Sequence, residues 1–501
     1  MTEHALHFGI IIFLYFCQGI VQGTLAIVVL ILLQRHPDLS VADQATLGLP
    51  MYSFSFKFLW APLIDRVYCR HGCFGRLLLH RRAQWVLILQ ALMSICYMTL
   101  FFGGDNFLES VVSSRKAFFQ FWVVLAILAF LNASQDVAVD AWAVEGLPKS
   151  EAAAAGVLQL VGTVTGVCIS NFFVELNSWD ATKYSVEMFC LTAGIVCVAA
   201  GVSAMLLSCY RRLPNEDAPC EECEETLAKD GKGVLETLRD VCRSHGLREL
   251  VVIFFTRAWP MATWFLVVSR LISMGVLTAG EFAQYRIYSM LIQLFLGTFF
   301  ARRVLRYTHA ASVLQMVSGV DFVISAAFSV CFVFVADPSV RRWYGPLVVL
   351  PALILVTAFS AFSFVAGVEL CSGQAHRFPR DVGGVLSLLN ALSNIGHHVP
   401  STLCLYSARL VELLFRFFLK RDVSYVDYYH NDGKATHTAS YEPFIIKSDV
   451  ILLSILFFSV SLILRYKYLL PAAQFLQVSS AEELAPIMDT PSNGNAPNNE
   501  V

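Results

Sequence analysis

Residues 10–33 read IIIFLYFCQGIVQGTLAIVVLILL and contain no acidic or basic side chain across 24 positions. A helix of about 20 apolar residues crosses the hydrocarbon core of a bilayer, and inside lipid its backbone hydrogen bonds are satisfied internally. No Lys or Arg precedes this run, and the run is too long for the core of a signal peptide. The stretch therefore predicts a membrane span that the mature protein retains.

The composition of the whole chain agrees with a membrane protein. Of its 501 residues, 56% are hydrophobic and 15% are charged, whereas a soluble domain carries about 25% charged residues. The net charge is −2, and no basic stripe interleaved with aromatic residues indicates a nucleic-acid partner. We expect an all-α polytopic protein of the lipid bilayer, without a cofactor, a structural metal or a nucleic-acid partner.

Apolar runs of similar length recur along the chain and predict twelve spans in two halves of six. The spans are 8–33, 46–65, 83–103, 117–142, 152–176, 186–210, 247–271, 281–301, 311–336, 345–371, 382–406 and 447–468. The predicted units are an N-terminal six-helix bundle (1–210), a cytoplasmic linker (211–246), a C-terminal six-helix bundle (247–470) and a disordered cytoplasmic tail (471–501).

The distribution of Lys and Arg predicts the orientation, because cytoplasmic loops carry an excess of both. With the N-terminus in the cytosol, the cytoplasmic segments hold 20 of these residues and the opposite loops hold 13. Long loops cross the membrane with less regard to charge, and without the long loop before the last span the opposite loops hold 7. Both termini are therefore expected to be cytosolic.

The predicted linker contains Cys220 and Cys223 in an acidic segment. A single CxxC pattern without a second pair is weak evidence for a zinc site. We favour an unstructured loop.

Ionisable residues within two N-terminal spans are the first candidate site. Lys57 lies near the middle of the second span, and Asn132, Asp136 and Asp140 share one face of the fourth, beside Gln135. Such groups are costly in a membrane and by default mark a transport pathway. Two carboxylates on one buried face require a cation or a proton. The alternative is a fixed lysine–aspartate clamp between helices.

The seventh and eighth spans each carry an arginine, Arg257 and Arg286. A buried guanidinium suits phosphate, which it binds through paired N–H donors. Pro260 is expected to loosen the helix next to Arg257. In the alternative interpretation, either arginine pairs with Asp321 or Glu369.

The eleventh span places Asn390 and Asn394 at helical spacing, followed by His397 and His398. Amides on one face suit hydrogen bonding to a solute, and polar contacts between helices are nearly as good an explanation. An intramembrane acyltransferase with either histidine as its base is a less favoured alternative, because no second catalytic group stands at a recognisable spacing. We therefore predict a protein that is not an enzyme and has no catalytic residues.

Three segments resemble the acetyl-coenzyme A transporter family (solute carrier family 33) of the major facilitator superfamily. They are 53–65 (SFSFKFLWAPLID), 130–142 (FLNASQDVAVDAW) and 388–396 (LLNALSNIG) with Pro400-Ser-Thr. Bacterial muropeptide permeases resemble the chain more loosely. The positions that match the family's motifs are Lys57, Trp60, Asp65, Gln135, Asp136, Asp140, Trp142, Asn390 and Asn394.

The basic loop after the second span also resembles one feature of that superfamily. Asp65-Arg66 followed by Gly75-Arg76 is similar to its gating latch, in which an acid pairs with arginines. The insertion Leu77-Leu78-Leu79-His80 departs from the pattern, as does the acidic linker.

The resemblance implies a carrier with the major facilitator fold that moves acetyl-CoA from the cytosol into the lumen of the endoplasmic reticulum or Golgi by alternating access, with CoA as a counter-substrate. Lys57, Arg257 and Arg286 would then offer countercharge to the phosphates. The alternative within the same fold is a permease for another organic anion or a muropeptide-like solute, coupled to protons through Asp136 and Asp140. A monomer and a homodimer both stay open.

Overall fold

The computed structural model describes twelve main segments of the chain, and these segments are helical apart from one short hairpin. They are residues 2–29, 41–67, 81–103, 107–145, 152–210, 246–273, 276–332, 343–375, 382–419, 426–429, 435–438 and 443–477, together with the single residues 239 and 243.

The first half of the chain contains nine described α-helices. They are α1 (Thr2–Gly23), α2 (Val41–Gly48), α3 (Ser53–Phe56), α4 (Ala61–Arg66), α5 (Arg81–Phe101), α6 (Phe107–Ser113), α7 (Arg115–Glu145), α8 (Ala152–Trp179) and α9 (Val186–Tyr210). A π-helical turn, Thr24–Val28, extends α1. The 3₁₀ turns Leu49–Tyr52 and Lys57–Leu59 separate α2, α3 and α4, so the second span is a broken helix.

The second half contains eight more described helices and the hairpin. They are α10 (Leu247–Thr256), α11 (Trp264–Ser273), α12 (Ala279–Leu296), α13 (Arg302–Leu305), α14 (Ala310–Phe332), α15 (Leu350–Ala375), α16 (Val382–Leu419) and α17 (Pro443–Leu464), with β1 (Val426–Tyr429) paired antiparallel to β2 (Ala435–Thr438). The 3₁₀ turn Trp259–Met261 breaks the seventh span between α10 and α11. π-helical turns lie at Gly297–Ala301, Gly345–Val349 and Arg465–Leu469.

The prediction of a polytopic α-helical membrane protein is confirmed. Among the described residues, nine helices are long and apolar enough to cross a membrane. The other three predicted spans coincide with the helical segments 41–66, 279–305 and Val382–Leu419. These three carry polar groups or helix breaks, which is the reason that length and composition alone miss them.

Two helices run further than the sequence predicts. Helix α16 continues to Leu419, thirteen residues past the predicted end of its span, because 407–419 contains four Leu and two Arg, which favour helix. The last helix continues to Gln477, past the predicted boundary at 470, and buries Ala472 and Ala473. Apart from Arg239, Arg243 and Gly246, the predicted linker lies outside the described residues, as do Cys220, Cys223 and 478–501.

Helices α1 and α8 pack closely along a glycine seam, which includes Gly19 on α1 and Gly166 on α8. A Cβ at Gly19 would overlap the backbone of Thr163, and a Cβ at Gly166 would overlap the backbone of Phe16 and Ile20. Small residues at such spacing let two membrane helices approach closely. This seam fixes the register of α1 against α8, and it thereby fixes where the polar side chains of α1 point.

The two halves pack against each other at several levels of the bundle, one of which is the end at which α1 finishes. Because consecutive spans alternate in direction, we call the side where α1 begins proximal and the side where α1 ends distal. At the distal end Gly280, at the start of α12, lies against Ser178, and Ala279 and Ala283 join the apolar core of the first half. The Thr46 and Tyr406 hydroxyls, one from each half, are 3.4 Å apart.

The glycine seam can be tested with a single methyl group. We expect Gly166→Ala to lower the thermal unfolding temperature in detergent, because overpacking costs about 1–3 kcal/mol. Gly373→Ala is the matched control, since a Cβ at Gly373 meets nothing within 4 Å. There, alanine favours the helix by up to about 1 kcal/mol. Equal melting temperatures for the two variants would contradict close packing at the seam.

Candidate functional site

Lys57 lies at the break in the second span. The backbone leaves the α-helical conformation at Phe56 (φ −109°, ψ 2°) and again at Trp60 (φ −113°, ψ −3°), and Lys57 begins the 3₁₀ turn between them. Pro62 follows in the first turn of α4, where its missing N–H costs no helical hydrogen bond. The break therefore places an ammonium group deep in the first half, where its side chain is 1% exposed.

Two aspartates of α7 neutralise this ammonium. Lys57 forms an ion pair and hydrogen bond with Asp136, and its Nζ lies 3.7 Å from Asp140 Oδ2. The Asp136 side chain is 5% exposed, whereas that of Asp140 is 13% exposed. Since a buried charge is stable only when paired and hydrogen-bonded, the three groups form one unit. The lysine–aspartate clamp of the alternative interpretation is present.

Polar side chains of α1 and α8 complete this unit. Tyr15 donates a hydrogen bond to Asp140 Oδ1 at 2.8 Å, and Gln18 donates to Asp136 Oδ1 at 2.5 Å. Gln159 Nε2 lies 3.2 Å from Asp140 Oδ1 and 3.5 Å from Asp136 Oδ1. Each carboxylate thus accepts bonds from neutral donors as well as from the lysine. Charge-assisted bonds of this kind are about twice as strong as neutral ones.

Two asparagines of α16 connect the unit to the second half. Asn390 Nδ2 lies 3.4 Å from Asp140 Oδ2, and Asn394 Nδ2 donates to the Phe54 carbonyl at 3.2 Å, beside the helix break. Asp140 is therefore bonded to side chains from both halves of the protein. A movement of the halves must change its hydrogen bonds.

A cleft between the halves exposes Asp140. It encloses about 340 Å³, including the part open to solvent, and its lining residues are Tyr15, Asp140, Ala155 and Gln159 from the first half and Val368, Cys371, Ser372, Leu386 and Asn390 from the second. Apart from Tyr15, which lies at the middle of α1, they lie toward the proximal ends of their helices. Within the described residues, the halves thus contact each other at the distal side and leave this cleft beside the charged unit.

The remaining candidates of the first half lie around this unit. Gln135 donates to the Leu14 carbonyl at 3.1 Å, which ties α7 to α1. Trp60 donates to Ser134 Oγ at 3.0 Å and packs on Phe130, a face of α7 different from that of Asp136. Trp142 packs edge-on against the His7 ring, with ring centroids 5.8 Å apart. These contacts support the helices that carry the charged unit.

Arg257 also lies next to a helix break, in the seventh span. It follows α10 directly and precedes the 3₁₀ turn that contains Pro260. Its guanidinium donates to Ser363 Oγ on α15 and to Ser393 Oγ on α16, the latter at 2.9 Å, and lies 5.7 Å from the Phe254 ring centroid. The group therefore reaches toward α15 and α16, which line the cleft.

Arg286 is half-buried on α12 and differs from Lys57 in its surroundings. Within the part of the chain that the structure describes, neither Arg286 nor Arg257 has a carboxylate within 4 Å. Pairing with Asp321 or Glu369, the alternative expected from the sequence, is therefore not present. Two arginines without an ion-pair partner give the second half a positive charge that an anion can neutralise.

The predicted latch cannot be located by its side chains. The structure describes only the helical backbone of Asp65 and Arg66, and Arg76 lies outside the described residues. Of the histidines of α16, His398 packs on the Tyr52 ring with centroids 5.8 Å apart, and His397 is exposed.

Tyr15, Gln18, Gln159, Ser363 and Ser393 were not among the residues that the sequence indicated. Tyr15 and Gln18 stand three positions apart in a run without charges, and Gln159 is one of three amides in α8. For these three residues, the signal available in the sequence was a polar side chain within a mainly apolar span. The two serines gave none, because a membrane helix satisfies most of its serine hydroxyls with its own carbonyls.

Comparison with known proteins supports both the fold and the resemblance. The family model described as acetyl-coenzyme A transporter 1 matches residues 7–228. An uncharacterized protein of Schizosaccharomyces pombe is 34% identical over 160 residues, which are 32% of this chain and 28% of that protein. The anhydromuropeptide permease of Escherichia coli K12 is 31% identical over 157 residues, 30% of this chain and 28% of the permease. The matches thus span less than a third of either relative.

Solved transporters share the fold along nearly the whole chain. The D-xylose-proton symporter has a TM-score of 0.53 at 12% identity and covers 91% of this chain and 96% of its own. The major facilitator transporter FucP, in an outward conformation, has a TM-score of 0.50 at 14% identity and covers 93% and 99%. The chain therefore has the major facilitator superfamily fold, and its resemblance to the acetyl-coenzyme A transporter family is confirmed.

The charged unit makes a prediction about stability. Asp136→Asn is expected to lower the unfolding temperature in detergent more than Asp140→Asn, because Asp136 is the more buried and the more direct partner of Lys57. Breaking a buried pair costs about 3–5 kcal/mol. Fluorescence-detected thermal unfolding of both purified variants measures this. A larger loss for Asp140→Asn would contradict the assignment of Asp136 as the main counter-ion.

Proposed function

We propose that this membrane transporter of the major facilitator fold carries acetyl-coenzyme A from the cytosol into the lumen of the endoplasmic reticulum or Golgi, by alternating access and in exchange for CoA. The observation that carries the proposal is the match of the acetyl-coenzyme A transporter 1 model to residues 7–228. This region contains Lys57, Asp136 and Asp140, the charged unit at the centre of the first half.

The charges of the second half support an anionic cargo. CoA carries three phosphate groups, each with roughly one to two negative charges near neutral pH. The Arg257 side chain is hydrogen-bonded only to hydroxyls among the described side chains. Arg286 accepts a bond from Ser289 through its carbonyl, and its guanidinium has no hydrogen bond among the described residues. A phosphate can replace the serine hydroxyls on Arg257 and accept two parallel N–H bonds. In this scheme the arginines bind the phosphates.

Lys57 has a different role in the proposed mechanism. Its ammonium is already engaged by two carboxylates and is 1% exposed, so contact with cargo would leave Asp136 unpaired. We assign Lys57 and Asp136 to positioning Asp140. Asp140 faces the cleft and, with Asn390, senses the separation of the halves.

The shape of the cleft fits one stage of alternating access. Its volume of about 340 Å³ includes space open to solvent, and the part that the protein encloses has room for only about one water molecule. A nucleotide coenzyme therefore requires the halves to part further at the proximal side. With both termini in the cytosol, the distal contacts between the halves lie on the side away from the cytosol, as expected of a state that takes up cargo from the cytosol.

A second candidate function is a proton-coupled permease for another organic anion or a muropeptide-like solute. The observation in its favour is the similarity to the anhydromuropeptide permease. In this scheme Asp140 would exchange a proton, since it is the more exposed carboxylate and borders the cleft.

Uptake by reconstituted vesicles tests the cargo. Labelled acetyl-CoA should accumulate above empty vesicles, and Lys57→Ala and Asp136→Asn should abolish uptake. Arg257→Gln should weaken acetyl-CoA binding about tenfold or more, because hydrogen bonds to charged groups contribute about 1.5–3 kcal/mol. The same variant should bind S-acetylpantetheine, which lacks the phosphates, as the wild type does.

Arg115→Gln is the matched control for that experiment, because Arg115 is a distal surface residue whose side chain is 80% exposed and pairs with Asp43. It should transport at the wild-type rate. Uptake no higher than that of empty vesicles would reject acetyl-CoA as the cargo.

A pH gradient separates the two candidate functions. For an exchanger, acetyl-CoA uptake should depend on CoA inside the vesicle and should not change when a gradient of one pH unit is imposed. For a proton-coupled permease, uptake should rise with the gradient, and Asp140→Asn should remove that rise. Stimulation by the gradient without internal CoA would favour the permease.

A further inference from the structure

One face of α14 is turned toward the break in the seventh span. Ser318 donates to the Arg257 carbonyl at 3.1 Å, and Ser325 Oγ lies 3.1 Å from Met261 Sδ. Asp321 stands three residues after the first serine and four before the second, so it lies on the same helical face. Its carboxylate must therefore face the segment between Arg257 and Met261.

The Asp321 carboxylate can accept more hydrogen bonds than it receives. Asp321 is half-buried, and its Oδ1 is buried without a hydrogen-bond partner in the part of the chain that the structure describes. A buried acceptor left without a partner costs roughly 1–3 kcal/mol. Asp136 in the first half, by contrast, has a lysine and two amides.

Arg257 is the cation that acts electrostatically on Asp321, although the two form no ion pair. The guanidinium turns away instead, toward Ser363 and Ser393. The other cation beside this part of α14 is Arg465, which packs over Gly319 and donates to the Gln315 carbonyl at 3.1 Å. Arg257 is thus held by two neutral hydroxyls, while a carboxylate within its electrostatic reach has an oxygen without a described partner.

We propose that Asp321 is a release residue, which competes with the anionic cargo for Arg257. The inference rests on the proposed function only in requiring a cargo with phosphate groups. When cargo occupies the cleft, Arg257 extends toward α15 and α16 and binds a phosphate. When the guanidinium swings back, it pairs with Asp321 and the phosphate loses its partner.

The competition has a thermodynamic consequence that a purely structural role lacks. Pairing with Asp321 stabilises the empty protein and therefore weakens binding of the anion, just as the anion weakens the pairing. Removing the charge of Asp321 should tighten cargo binding and slow cargo release. Most substitutions at a binding site have the opposite effect on affinity.

The test measures affinity and turnover together. We expect Asp321→Asn to lower the Kd for acetyl-CoA by about fivefold or more, the low end of typical coupling between sites, and to reduce the exchange rate. Inorganic pyrophosphate serves as a second probe that lacks the rest of the coenzyme. Asp321→Glu, which keeps the charge, should resemble the wild type.

Two further variants make the experiment specific. Glu369→Gln removes a half-buried acid of α15 that has no described hydrogen bond, and it should leave the Kd unchanged. In an Arg257→Gln background, Asp321→Asn should have no effect on the Kd, because its competitor is gone. If size-exclusion chromatography shows that Asp321→Asn does not fold, Asp321→Ser is used in its place.

The outcomes distinguish this inference from the proposed function. If the wild type binds both probes and Asp321→Asn binds them equally or more weakly, the release role fails and the cargo assignment stands. If the wild type binds pyrophosphate but not acetyl-CoA, the cargo assignment fails, and tighter pyrophosphate binding by Asp321→Asn supports the release role. Binding of neither probe rejects both.

Discussion

An ammonium group can be stable in a bilayer-embedded bundle only when carboxylates neutralise it. The first half of this protein is arranged around that constraint. A helix break brings Lys57 inward, α7 supplies Asp136 and Asp140, and α1 and α8 supply the neutral donors that saturate both acids. The glycine seam holds α1 and α8 close enough for their side chains to reach the same carboxylates.

Both cations next to helix breaks, the buried Lys57 and the half-buried Arg257, have a freed backbone carbonyl close by, and a neighbouring helix binds it. Asn394 donates to the Phe54 carbonyl near Lys57, and Ser318 donates to the Arg257 carbonyl itself. The two sites differ in saturation. Lys57 has two acids, while Arg257 has two hydroxyls. Lys57, which carboxylates neutralise, stabilises the fold. Arg257, which has only neutral partners, can exchange them for an anion.

The sequence predicted those features that follow from hydrophobicity and from the cost of buried charge. It predicted the polytopic fold, and it indicated Lys57, Asp136 and Asp140, which the structure brings into one unit. It did not predict that Arg257 bonds to serines. Serine is common in membrane helices, and its presence in the sequence does not indicate which group it bonds to. Nor did it predict how far α16 extends. Helix ends in polar segments depend on weak propensities and on contacts absent from a hydropathy profile.

The length of α16 has a mechanical consequence. Its 38 residues give a rod of about 57 Å at 1.5 Å per residue, nearly twice the ~30 Å of a hydrocarbon core. One part of this helix carries Asn390 at the cleft, Pro400 lies inside it, and at this length its other end can extend beyond the hydrocarbon core on the distal side. A rotation of the second half by about 10° would sweep that tip through roughly 10 Å, given this rod length. The end of α16 thus amplifies a rotation of the second half, and a spectroscopic label near Leu419 would report the tilt of that half.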